Sequence, residues 1–208
     1  MRRANNPDDK ALRYRQILDC ARTLHRDFQR LPTAAEMAGH LGLGKGTLYL
    51  YFRSREAIFL TLLEDDMRSW LERLETAVDT LPLPQAIDDL CRHIAGDEDS
   101  CRLAALAHGL IEHCDDLDAI QTFKRHMADA VARCAARVAK AAAMEERSIQ
   151  ALIQASHAMV VGLWQAANPP AAIRALPDAT GLLVPDFSNT VRQALFALWQ
   201  GWLTKHRH

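Results

Sequence analysis

The 208-residue sequence predicts an all-α protein: an N-terminal head of three helices over residues 1–55 and a helical body over residues 56–208, about nine helices in all. Three observations carry that expectation. Apolar residues return at three- and four-residue intervals in one segment after another, the period of a helix with one buried face. No segment alternates apolar and polar residues with the two-residue period of a strand. Pro or Gly punctuates the periodic segments at Pro32, Gly42, Pro82, Pro84 and Gly96, where such residues halt a helix.

After a polar arm, Asp8 and Asp9 place negative charge at the start of the first helix, where the dipole favours it. Ile17, Ala21, Leu24 and Phe28 then form one buried stripe, and Arg13, Arg15, Arg22 and Arg26 occupy the other face. Pro32 is expected to set the direction of the chain after Gln29. Thr33 and Glu36 form a T-x-x-E capping box, each side chain satisfying one free backbone N–H, so a second helix starts at Ala34. Met37, Ala38 and Leu41 share its apolar face. Gly42 follows where a helix ends in the left-handed conformation.

Gly44 opens a third helix, Lys45 to about Phe52, that turns Leu48 and Phe52 toward the second. Two short helices joined by a glycine-marked turn are the layout that carries a helix into the DNA major groove. Lys45, Gly46, Thr47, Tyr49 and Tyr51 are left facing elsewhere. A cation, a position with no side chain, a hydroxyl and two phenols suit a backbone that approaches phosphates closely and hydrogen-bonds to them.

Ser54 caps a long helix to about Val78, expected as a connector over residues 54–78. The body continues with segments at Pro84–Ala95, from Asp99 or Ser100 to His113, Leu117–Ala142, Glu145–Ala167 and Phe187–Leu203. Asn168 to Pro185, with four prolines, reads as a surface loop with a short helical turn. The last two long helices are apolar around more than half their circumference, which calls for a second partner. Leu152, Val160, Leu163, Leu195, Trp199 and Trp202 are therefore expected in a homodimer seam.

The run Gly42-Leu43-Gly44-Lys45-Gly46-Thr47-Leu48-Tyr49-Leu50-Tyr51-Phe52, followed by Ser54-Arg55-Glu56, resembles the signature of the TetR family of bacterial transcriptional regulators. That signature is close to A-G-V-S-x-G-T-L-Y-x-H-F-x-s-K-e, and eight of its positions are matched outright. Gly44 replaces a serine that caps the recognition helix and touches phosphate, Tyr51 replaces a histidine, and Arg55 replaces a lysine. The resemblance implies a repressor that binds a pseudo-palindromic duplex operator as a homodimer and is released by a small-molecule effector. It implies DNA-contacting roles for Thr33, Lys45, Gly46, Thr47, Tyr49, Tyr51 and Arg55. It also implies a ligand pocket among the body helices. Candidates to line that pocket are Trp70, Cys91, His108, His126, Met127 and Trp164; other soft or polar side chains at otherwise apolar helix positions are His93, Cys101, His113, Cys114, Cys134 and His157.

Charge agrees with a divided chain. The net charge is −1, but residues 1–55 hold eleven Lys or Arg against five Asp or Glu, whereas residues 56–208 hold fourteen against twenty-one. A basic head on an acidic body is what a DNA-facing part and a DNA-avoiding part require. The five cysteines lack C-x-x-C spacing and read as reduced thiols of a cytoplasmic protein. No apolar run reaches the roughly 20 residues that span a bilayer. No metal-ligand spacing, nucleophile elbow, phosphate loop or dinucleotide fingerprint is present, so neither a metal nor a cofactor is expected and an all-helical enzyme is the remote alternative. A nearer alternative is a DNA-binding regulator that answers to no small molecule.

Overall fold

The computed structural model describes residues 7–175 and 186–205, so most of the expected Asn168–Pro185 loop and the N-terminal arm lie outside the described residues. Among the described residues the chain is helical throughout, with no strand. The helices are α1 (Pro7–Phe28), α2 (Ala34–His40), α3 (Lys45–Leu48), α4 (Arg55–Thr80), α5 (Leu83–Gly96) and α6 (Glu98–Ala105), then α7 (Ala107–Glu112), α8 (Leu117–Ala142), α9 (Glu146–Ala167), α10 (Ala171–Arg174) and α11 (Phe187–Lys205). The all-helical expectation holds, and α10 is the short turn foreseen between the last two long helices.

Two compact units divide the chain, with breaks after Glu64, Leu106 and Lys124. The first takes residues up to Glu64 together with Ala107–Lys124; the second takes Asp65–Leu106 and the chain from Arg125 onward. α4 and α8 therefore each begin in the first unit and continue unbroken into the second.

In the first unit, Ile17, Ala21 and Leu24 of α1 are buried with Met37, Ala38, Leu48, Ile58, Phe59 and Leu63. Tyr14 stacks on Phe52 with ring centroids 4.6 Å apart. Phe28 departs from the predicted stripe and is 42 % exposed, because α1 ends there and the chain turns away; the Arg30 guanidinium lies over its ring at 4.9 Å. The turn is made by Gln29, which takes a left-handed φ of 53° normally left to glycine, rather than by Pro32 alone.

In the second unit α11 packs against α5 and α9, and α9 also receives α6. Trp199 is fully buried and donates its indole N–H to Ser156 Oγ (2.9 Å), which donates onward to the Leu152 carbonyl (2.8 Å). Trp164 meets Phe187 edge-on at 4.9 Å. This packing draws part of the expected dimer seam into the protomer. Leu152, Val160, Leu195 and Trp199 lie inside the protomer's own core at 1 % exposure or less, so they have no surface to offer a second chain. Leu163 and Trp202 are half-exposed, and Trp202 donates to Ser148 Oγ at 2.9 Å.

Two expected helices differ from those observed. The segment expected from Asp99 to His113 is two helices, capped at its start by Asp97, whose carboxylate accepts from the Ser100 N–H. It breaks at Leu106, which leaves α6 in one unit and α7 in the other. α3 is also shorter than expected, its regular turn ending at Leu48. Beyond it the N–H groups of Leu50 and Tyr51 bond three residues back, to Thr47 and Leu48, before Phe52 returns to Leu48 with a four-residue bond. Two glycines and two tyrosines are weak helix formers, so this stretch tightens rather than propagates.

Candidate functional site

The approach to α3 is fixed by a small network of polar contacts. The Thr33 hydroxyl accepts from the Glu36 N–H (3.2 Å), while Glu36 Oε2 accepts from the Thr33 N–H (2.7 Å), completing the capping box. Arg30 clamps the same carboxylate with two bonds of 3.1 and 2.6 Å. The Arg30 guanidinium, and after it the Thr33 backbone N–H, hold the Glu36 carboxyl down at about 2. Thr33 is exposed, but its hydroxyl is already engaged as a cap.

Gly42, at φ 63°, ends α2 in a Schellman arrangement: the Leu43 N–H reaches the Ala38 carbonyl (2.8 Å) and the Gly42 N–H reaches that of Gly39 (3.1 Å). Two residues later Gly44 begins α3 in extended conformation with no side-chain cap, as its replacement of the family's serine foretold.

On α3 and the turn after it, Lys45, Gly46 and Tyr49 are exposed, and Thr47 and Tyr51 are half-buried. The Lys45 ammonium sits 5.9 Å from the Tyr49 ring centroid. A Cβ built on Gly46 would meet nothing within 4 Å, so the head's own packing does not require glycine there and the bare backbone faces open space. Leu50, 80 % exposed, projects beside these residues. Arg55 donates from Nε to Glu56 Oε1 (2.9 Å), and Arg53 donates to Asp118 Oδ2 (2.8 Å) with Asp116 Oδ1 at 3.8 Å. Sequence reasoning did not single out Arg53 or its two acidic neighbours, because 65 positions separate Arg53 from Asp118. Tyr14, Tyr51, Arg53, Asp116 and Asp118 also share the wall of a cleft of about 310 Å³.

The second unit holds an apolar cavity of about 60 Å³. Its walls are Met67, Trp70, Leu71 and Leu74 of α4, Leu90 and Ile94 of α5, Val131 of α8, Ile153, Ser156, His157 and Val160 of α9, and Trp199 of α11. Of the two polar side chains, Ser156 is occupied by Trp199 and Leu152. His157 Nδ1 is buried with no hydrogen-bond partner, and burial pushes the imidazole below its ordinary pKa, so it is neutral at pH 7.

Of the six residues expected to line a pocket, Trp70 is on this wall, which also takes in His157 from the wider group of soft or polar side chains. Cys91 and Met127 are buried without lining it, and His108 and His126 are exposed. Trp164 packs on Phe187 under the Arg102 guanidinium, 5.4 Å away. Burial pushes the Cys91 and Cys134 thiols up to about 12 and raises Cys101 as well, which keeps all three in the unreactive protonated form. Among the described residues no group of three or more His, Cys, Asp or Glu side chains is placed to hold a metal ion, and no helix is long and apolar enough to cross a membrane.

Comparison with known proteins bears on both units. The family model described as "Tetracyclin repressor-like, C-terminal domain" matches residues 64–206. A curated relative, the fatty acid metabolism regulator protein of Bacillus subtilis (strain 168), is 31 % identical over 67 residues, which is 32 % of this chain and 34 % of that protein. The match thus spans about a third of the relative's length. Among solved structures, the fatty acid degradation regulator FadR from Bacillus halodurans superposes with a TM-score of 0.55 at 14 % identity, covering 88 % of this chain and 97 % of the other. A putative TetR-family transcriptional regulator from Mesorhizobium loti MAFF303099 gives 0.51 at 15 % identity, covering 95 % and 98 %. At these identities the structural likeness speaks to the fold alone.

Proposed function

Because the chain belongs to the TetR family of transcriptional regulators, we propose that it is a ligand-responsive repressor that binds duplex DNA as a homodimer through α2 and α3. One observation carries the reading: a capped α2, a left-handed Gly42 and a following α3 that exposes Lys45, Gly46 and Tyr49 beside Thr47. That geometry brings backbone N–H groups and a cation to phosphates while a hydroxyl and a phenol reach toward base edges. Lys45, Tyr51 and Arg55 anchor, and Thr47 and Tyr49 position or select. Arg55 must exchange Glu56 for phosphate to do so. A bacterial chromosome as target places the protein in the cytoplasm.

Dimerisation is proposed through the outward rows of α9 and α11 rather than through their buried stripes. Ala158, Gly162, Ala197 and Gly201 are exposed there, with Met159 and Leu198 half-exposed between them. Neither glycine has a neighbour that a Cβ would touch, so close approach by a second chain explains their small size better than packing within the protomer does. A two-fold pair sets its recognition elements about 34 Å apart, one helical turn of DNA.

The effector is assigned to the apolar cavity of the second unit. An acyl chain suits such walls, in keeping with the curated relative's part in fatty acid metabolism. α4 begins beside the DNA-facing residues and carries four cavity residues further along, so a ligand that favours one course of α4 changes affinity for DNA. A regulator without an effector is the second reading, favoured by a cavity of only about 60 Å³, well below the roughly 300–1,000 Å³ of drug-sized sites. Sequencing genomic fragments retained by the purified protein tests the DNA reading: enrichment of an inverted repeat supports it, and a random set of fragments overturns it.

A further inference from the structure

The cavity of the second unit has a floor and a mouth of different character. Trp70, Leu74, Leu90, Ile94 and Trp199 are buried, whereas Met67, Val131, Ile153 and His157 retain some exposure. Ligands therefore enter past the second group. Met67 is unbranched and turns aside at little cost, which is how so small a space would enlarge. Among the described residues no Lys, Arg, Asp or Glu lines the walls. A buried polar atom without a partner is costly, and His157 Nδ1 is such an atom.

We infer that the effector is a largely apolar molecule with one uncharged hydrogen-bonding group, a hydroxyl or carbonyl, that seats its apolar end on the Trp70–Trp199 floor and pairs its polar group with His157 Nδ1. An ionised head group is disfavoured at that atom, because the walls supply no countercharge and burial keeps the imidazole neutral. His157 is thus a specificity-determining residue: it selects against purely apolar and against anionic ligands of the same length. This rests on the reading of the cavity as the effector site.

The test uses three probes of one length, n-hexane, 1-hexanol and hexanoate, titrated into the full-length protein with tryptophan fluorescence as the readout, since Trp70 and Trp199 line the cavity. Hexanol carries both a donor and an acceptor and so suits either imidazole tautomer. It should bind wild type about tenfold more tightly than hexane, and hexanoate should bind more weakly than hexanol. In His157→Leu the preference for hexanol over hexane should vanish while hexane still binds, which also shows that the variant is folded; His157→Gln, which keeps a polar atom, should retain part of it. Equal affinity of wild type for hexane and hexanol, or a His157→Leu variant that keeps the preference, overturns the role of His157 and leaves the cavity as the effector site. Failure of all three probes to bind wild type overturns both.

Discussion

Arg53 donates to Asp118 at 2.8 Å, which ties the turn after α3 to the first residues of α8. Asp116 stands 3.8 Å from the same guanidinium. Arg53 lies between Tyr51 and Arg55, both proposed to contact phosphate, so on that proposal the two carboxylates would compete with DNA for the Arg53 cation. Asp118→Asn should raise affinity for duplex DNA by up to about fivefold at low salt, the scale of an exposed ion pair. Unchanged or weaker binding by this variant, measured by fluorescence anisotropy, would show that Arg53 has no part in DNA binding.

Gln29 at φ 53° sits where glycine is at ease. Gln29→Gly should stabilise the protein by about 1 kcal/mol, because the left-handed penalty of a side-chain-bearing residue exceeds the entropy that glycine adds to the unfolded chain. A urea midpoint that falls in this variant would remove the strain argument.

Much of the head is legible in the sequence, and the reason is local chemistry. The T-x-x-E box at Thr33 and Glu36 and the left-handed Gly42 are each settled within six residues of chain, so sequence alone places them. The second unit is another matter. Leu152, Val160, Leu195 and Trp199 looked like a seam because two helices were apolar beyond one face, yet α5 and α6 cover what a second chain was expected to cover. Which residues enclose a cavity depends on how five helices converge, and Leu74 or Val131 carries no mark that distinguishes a cavity wall from ordinary core. The Arg53–Asp118 pair was hidden for the same reason, its partners being far apart in the chain.

Glu36 gives a pH dependence of known sign. Its folded value of about 2 lies below the ordinary value of about 4.3. The stabilisation is therefore fully present above about pH 5 and is lost as pH falls toward 2. Comparing wild type with Glu36→Gln by thermal unfolding at several pH values should show a wild-type advantage at neutral pH that shrinks through this window. An advantage independent of pH would mean that the Arg30–Glu36 clamp does not hold in solution.

Assembly separates two neighbouring residues of α11. Leu198→Glu alters a half-exposed position on the outward row and should give folded monomers with weakened operator binding. Trp199→Glu buries an unpaired charge and breaks the bond to Ser156, so it should unfold the second unit instead. Sedimentation velocity and circular dichroism on both variants decide the matter: a dimeric Leu198→Glu protein with intact operator binding would take this row out of the interface.

DNA binding by the head through cations on and around α3 is tested by the dependence of operator affinity on salt for wild type and Lys45→Ala. Each phosphate neutralised contributes a slope of about −0.9 in log affinity against log salt. Wild type should lose affinity steeply with added salt, and Lys45→Ala should bind more weakly on every duplex tested, with a slope shallower by about one. An affinity that does not change with salt, or a Lys45→Ala protein with the wild-type slope and affinity, would rule out electrostatic DNA binding through α3.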